Sequence, residues 1–88
     1  MFAIDHLGVA VRSLQQAAEF YRKLGAEVLG EEVVEQEKVR VAMVPLGESR
    51  IELLEATSED SPIARFIARR GEGLHHVALQ VENLAQKV

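Results

Sequence analysis

Residues 5–14, DHLGVAVRSL, and residues 75–84, HHVALQVENL, decide the fold, because the second stretch repeats the first at a constant offset of 70 residues, His6 to His76 and Leu7 to Val77. In both, a histidine is followed at alternate positions by an apolar trio, Leu7/Val9/Val11 or Val77/Leu79/Val81. A capping residue, Ser13 or Asn83, and a leucine come next. Alternation of this kind is the period of a half-buried strand, and a capping side chain ahead of an apolar residue opens a helix. The chain therefore starts the same strand-to-helix unit twice.

Between the two copies, Ala3–Val11 predicts the first strand. Leu14, Ala17, Ala18, Tyr21 and Leu24 recur at helical spacing until Gly25 supplies a stop. Extended stretches follow at Glu27–Glu35, Val39–Pro45 and Arg50–Glu55, with Leu46-Gly47-Glu48-Ser49 as the turn between the last two. Ser61-Pro62 opens a second helix, with a capping hydroxyl ahead of a proline whose missing N–H costs nothing there, and Ile63, Phe66 and Ile67 give it an apolar face. Gly71 and Gly73 end it, Leu74–Val81 is a further strand, and a helix begins after Asn83. The order is β-α-β-β-β, a helix, then β again, an α+β arrangement. It divides into a first module at 1–57, a linker with a short helix at 58–73, and the start of a second module at 74–88.

The chain has 88 residues, 48% of them hydrophobic and 5% aromatic, which calls for a core of Val, Leu, Ile and Ala. Ten Lys and Arg stand against 14 Asp and Glu, a formal charge of −4, and an acidic chain without a basic block is not built to neutralise the phosphates of a duplex. No nucleic-acid partner is expected. There is no cysteine, so disulfides, thiolate metal sites and thiol nucleophiles are excluded, in keeping with a reducing compartment. Apolar runs are a few residues long, far below the roughly 20 that span a bilayer, so no membrane partner and a cytoplasmic location are expected. A chain this short buries only about 60–65% of its unfolded surface, so extra burial is anticipated from a homodimer or a complementing chain.

Strand parity then sorts the side chains. If Leu7, Val9 and Val11 pack under the first helix, His6 points to the opposite, concave face of the sheet. The same rule puts His76, Ala78 and Gln80 on that face and sends His75 toward the helix. In the strand Arg50–Glu55, Ile51 and Leu53 fit the helix side and Glu52 and Leu54 the concave one. His6, Glu52 and His76 thus converge. Burying two imidazoles and a carboxylate among small neighbours carries an uncompensated desolvation cost, so a metal or a water-filled cleft is the economical explanation. Nitrogen and carboxylate donors without sulfur suit Zn²⁺, Co²⁺, Mn²⁺ or Mg²⁺.

The strand IDHLGVAVRSL (4–14) and the segment IELLEATSEDSPIARFIARRGEGLHHVAL (51–79), in this order, resemble methylmalonyl-CoA epimerases of the vicinal oxygen chelate superfamily. The run from Asp60-Ser61-Pro62 to His75-His76 is the more specific part. The resemblance implies a glyoxalase-like fold of two βαβββ modules around a metal-lined cleft, here with the second module truncated after its first strand and the start of its helix. It implies metal ligands at His6, Glu52 and His76, with a fourth carboxylate that has no counterpart in these 88 residues. The implied chemistry is R/S interconversion of methylmalonyl-CoA, an acyl-CoA substrate, through a metal-stabilised enolate.

Such chemistry needs an acid/base pair at the α-carbon. Glu37 and Glu48 lie near loop or strand ends, and no motif singles either out. Arg65, Arg69 and Arg70 on the second helix read either as a solvated charged face or, as the resemblance implies, as groups that meet the phosphates of a coenzyme A handle. Alternative readings are a non-catalytic small-molecule-binding protein of the same superfamily, another of its enzymes such as a lyase or dioxygenase, and an inactive half-domain that self-associates through its sheet edges.

Overall fold

The computed structural model describes residues 2–81, which run β1 (Phe2–Ala10), α1 (Leu14–Lys23), β2 (Leu29–Val34), β3 (Val39–Leu46), β4 (Ser49–Ala56), α2 (Pro62–Arg70) and β5 (Gly73–Val81). The helix expected after Asn83 lies outside the described residues. The strands form one sheet in the order β2-β3-β4-β1-β5, with β1 parallel to β4 and every other neighbouring pair antiparallel. No helix among the described residues is long and apolar enough to cross a membrane.

Both helices begin and end where their local chemistry requires. The Ser13 hydroxyl accepts from the Gln16 amide at 3.1 Å, satisfying one of the free N–H groups of the first turn of α1. At its other end the amide of Gly25 donates to the Arg22 carbonyl and that of Ala26 to the Tyr21 carbonyl, which needs Gly25 at φ 90°. Ser61, fully buried, caps α2 by accepting from the Ile63 amide at 3.1 Å, with Pro62 in the first helical position.

The sheet is buried on both faces over its middle. Val11, Leu14, Ala42, Val44 and Leu53 form the core beneath α1, joined by Val9, Ala17, Tyr21 and Ile51. On the other face Ala10, Val39, Leu54 and Ile63 pack beneath α2, joined by Val41, Phe66 and Ile67. The face opposite α1 is thus covered in part by α2, and it also carries the polar side chains described below. The edge strand β2 carries Glu31 and Glu32 in the open, charges that discourage pairing with another strand.

The repeat is physical. In the β1·β5 ladder Leu7 faces Val77, its own counterpart at the 70-residue offset, with His6 opposite Ala78 and Gly8 opposite His76. A local two-fold axis passes between Leu7 and Val77. The ladder slips by one residue on each side of it, at Asp5 on β1 and at His75 on β5, and these two residues are also repeat counterparts. Each slip is a bulge, which sets two successive residues against one on the partner strand.

Lys38 pins the turn between β2 and β3. It sits at φ 55°, its carbonyl accepts from the Thr57 amide at 2.9 Å, and its ammonium pairs with Asp60 just before α2. Hydrogen bonds from Lys38 and then from the Ser58 hydroxyl push the Asp60 carboxyl down to about 2. A carboxyl depressed only in the folded state adds stability above its ordinary value of 3.8 and loses it as pH falls through the folded value. Asp60→Asn is therefore expected to lower the urea midpoint slightly at neutral pH, and the gap to the parent should close between about pH 4 and pH 2. A gap that persists at the acid end would show that the pair does not act through ionisation.

Candidate metal centre

Gly8 is the middle of a row of three residues across the sheet, with Glu52 its partner on β4 and His76 its partner on β5. His6, two residues earlier on β1, lies between Arg50 and Ala78. Parity turns all of these toward the α2 side. A Cβ built on Gly8 would lie 2.1 Å from His76 Cε1 and 2.5 and 2.6 Å from its ring nitrogens. The His76 imidazole thus occupies the space that any larger residue at position 8 would fill. Gly8 is absent from the positive-φ residues, so room rather than backbone freedom is what it supplies.

His6, Glu52 and His76, all half-buried, each offer a donor atom, and the three atoms lie within 4.8 Å of one another. The two Nε2 atoms are 3.2 Å apart, the rings edge to face with centroids at 5.2 Å. Two nitrogens each about 2.1 Å from one ion stand about 3.0 Å apart at a right angle and about 3.4 Å at a tetrahedral angle. The observed separation falls between these, and with a carboxylate as third donor the residues fit a divalent cation.

Each imidazole is oriented from behind by its bulged neighbour. Asp5 Oδ2 accepts from His6 Nδ1 at 2.8 Å, which leaves the Nε2 lone pair facing His76. The Asp5 carboxyl is held below the usual carboxylate range, mainly by this bond from His6, and Arg50 helps from 3.2 Å. On the other strand His75 Nδ1 lies 2.9 Å from His76 Nδ1. This overturns the expectation that His75 points toward α1. Strict alternation would send it there, but the bulge places both residues of the HH pair on the same face, where His75 also packs edge-on against Phe66 of α2. Burial first, then the neighbouring imidazoles of His75 and His6, lower the His76 pKa against the opposing charges of Glu52 and Glu37. The ring is kept in the neutral form that a metal ligand requires.

Glu52 is steered by Arg50, whose Nη2 lies 3.2 Å from Glu52 Oε2 and whose Nε donates to it at 3.3 Å. The same guanidinium reaches Asp5, so one cation ties the partner of the first imidazole to the third donor.

A cavity of about 220 Å³ opens beside the cluster, lined by Glu52, His75 and His76, by Glu37 from the β2–β3 turn, and by Pro62 and Ile63 from α2. The two glutamates left open by the sequence are thereby separated. Glu37 borders the cavity, whereas Glu48 lies in a different depression with Phe2, Ile4 and Gln80. Arg65, Arg69 and Arg70 line a neighbouring groove along α2. The residues that sequence reasoning passed over are Asp5, Arg50 and the supporting role of His75. A polar residue directly ahead of each repeated histidine was the available signal, and without the bulges parity points both of them away.

Gly8→Ala separates site from fold. An alanine is less costly than glycine within a strand by about 0.5–1 kcal/mol, so the thermal midpoint should hold or rise provided the His76 ring can swing aside. Divalent-ion affinity should fall roughly 10–100-fold, the size of effect seen when a ligand loses its correct orientation. Unchanged affinity in a folded variant would disprove the spatial role given to Gly8.

Comparison with known proteins bears on the family and the fold. The chain is 39% identical to the uncharacterized protein YqjC of Bacillus subtilis, with 100% of this chain aligned to 64% of that protein. It is 37% identical to the human mitochondrial methylmalonyl-CoA epimerase over 92% of this chain and 47% of that enzyme. Among solved structures, a variant of Streptomyces coelicolor methylmalonyl-CoA epimerase in complex with 2-nitronate-propionyl-CoA superposes with a TM-score of 0.86 at 39% identity, covering 97% of this chain and 64% of that one. The chain thus spans about half to two thirds of the length of these relatives. Its α+β architecture matches a glyoxalase-like module, and residues 5–88 match the family as a whole. The chain belongs to the glyoxalase/bleomycin resistance protein/dioxygenase superfamily.

Proposed function

We propose that this chain carries the metal-binding part of an acyl-CoA epimerase that interconverts the R and S forms of methylmalonyl-CoA. The observation that carries the reading is the 3.2 Å approach of two repeat-related imidazole nitrogens with a carboxylate donor beside them. Relatives named as methylmalonyl-CoA epimerases, one of them solved with an acyl-CoA analogue, supply the substrate class. His6, Glu52 and His76 would hold a divalent ion, Co²⁺, Mn²⁺, Mg²⁺ or Zn²⁺, whose chemistry is to lower the cost of negative charge on the thioester oxygen.

The chain's own groups do the remainder. Asp5 keeps the proton of His6 on Nδ1. With the His76 lone pair at Nε2, the proton on its Nδ1 donates to His75 Nδ1, so both rings present lone pairs to the same point. Two lone pairs 3.2 Å apart repel each other, and a cation between them, or a proton on one, relieves the repulsion. Glu37 is the carboxylate placed to exchange the α-proton on one face of the α-carbon, since it borders the same cavity as Glu52 and His76, and inversion needs a second acid/base group on the opposite face. Its turn is held by the Lys38 carbonyl on Thr57 and by the Lys38–Asp60 pair. The exposed apolar residues Leu74, Val77 and Leu79 of β5, with Phe2 and Ile4 of β1, form the surface on which a second copy or a complementing chain would be seated.

The test is exchange of the α-proton of methylmalonyl-CoA into deuterated water with Co²⁺ present. Exchange dependent on added ion supports the reading. Ion binding without exchange would favour a small-molecule-binding protein of the same superfamily, and absence of both would remove the proposal.

A further inference from the structure

In a chain whose acidic residues outnumber its basic ones 14 to 10, the described cations ought to find carboxylate partners easily. Arg12, Lys38, Arg40 and Arg50 do, whereas Arg22 and Lys23 in the last turn of α1 have none among the described residues. Arg65, Arg69 and Arg70, all exposed on α2, have none among the described residues, and the only hydrogen bond recorded there is from Arg65 Nη2 to the Asp60 carbonyl at 3.0 Å. The helix dipole accounts for cations in the last turn, where Arg69 and Arg70 lie. It gives nothing to Arg65, four residues into the helix. Arg65 and Arg69 are moreover spaced i,i+4, a like-charge pair that disfavours an isolated helix. An anion lying across them would reverse the sign of that interaction.

The three arginines line a groove of about 310 Å³ together with Pro62, Phe66 and His75. Pro62 and His75 also line the cavity beside the metal cluster, so the two spaces share a wall. From Pro62 to Arg70 the helix rises about 12 Å, which sets the guanidinium groups at arm's length from the reacting end. Phe66 and Pro62 offer apolar surface along the way.

We infer that this groove along α2 seats the phosphate-bearing end of a coenzyme A thioester, with the arginines reading the phosphates and the pantetheine arm passing His75 into the metal cavity. The inference rests on the acyl-CoA reading above. Guanidinium groups suit the site because their forked donors match phosphate oxygens two at a time.

Isothermal titration with coenzyme A, and with pantetheine as a phosphate-free control, tests it. The Arg65→Gln/Arg69→Gln/Arg70→Gln protein should bind coenzyme A at least 10-fold more weakly, pantetheine as before, and Co²⁺ as before. Coenzyme A affinity of the parent should fall as salt is raised. If the triple variant proves poorly folded by circular dichroism, Arg69→Gln alone, with the salt series on the parent, carries the test. Coenzyme A affinity unchanged in the variant, equal weakening toward coenzyme A and pantetheine, or a parent that does not bind coenzyme A would each overturn the subsite. Arginine-dependent binding without α-proton exchange would keep the subsite and discard the epimerase. Exchange unaffected by the three substitutions, with coenzyme A affinity unchanged, would do the reverse.

Discussion

His76→Ala is expected to abolish stoichiometric binding of Co²⁺ or Mn²⁺ while leaving the protein folded. The ring is half-buried and sits on Gly8, outside both apolar cores, so truncating it removes a donor without opening a packed interior. Losing an outer partner of a ligand costs roughly 10–100-fold in affinity, and losing the ligand itself is expected to exceed that. His6→Ala should match it, because the local two-fold axis makes the two imidazoles equivalent in position. Titration calorimetry checks the affinity and circular dichroism the fold. A folded His76→Ala protein that binds the ion as tightly as its parent would rule out the proposed centre, and a His6→Ala protein much less affected than His76→Ala would rule out the symmetric role.

Glu37→Gln is expected to lower α-proton exchange by roughly 10²–10⁴-fold, the usual contribution of a positioned acid or base. Metal affinity should stay within about twofold, since Glu37 belongs to the β2–β3 turn and contributes no atom to the cluster. That split is the diagnostic result. Glu48→Gln is the control, because Glu48 lies in another depression and its loss should leave exchange unchanged. If the two variants exchanged at the same rate, the acid/base assignment would fall while the metal centre stood.

The elements themselves were legible residue by residue. Ser13 and Ser61 marked the helix starts, Gly25 and Gly71 their ends, and the alternation around Leu7 and Ile51 assigned the buried faces, with observed strand ends within two residues of those expected. The convergence of His6, Glu52 and His76 was legible too, because parity is a local property that survives over short strands. His75 was misplaced for the converse reason. A bulge is a slip between two strands distant in sequence, and nothing local announces it.

Glu37 and Glu48 show the same limit. Both are turn glutamates of equal standing in the chain, and only the packing of α2 over the sheet makes one of them border the cavity with the metal cluster.

Sequence alone determined the period, the caps and the repeat, because each of these is set by interactions among residues a few positions apart or by direct comparison of two stretches. The tertiary structure decided which residues support the ligands from behind. It set the two bulges, the pairing of Leu7 with its own counterpart, and the close seat of His76 on Gly8, since those depend on the register between strands about 70 residues apart.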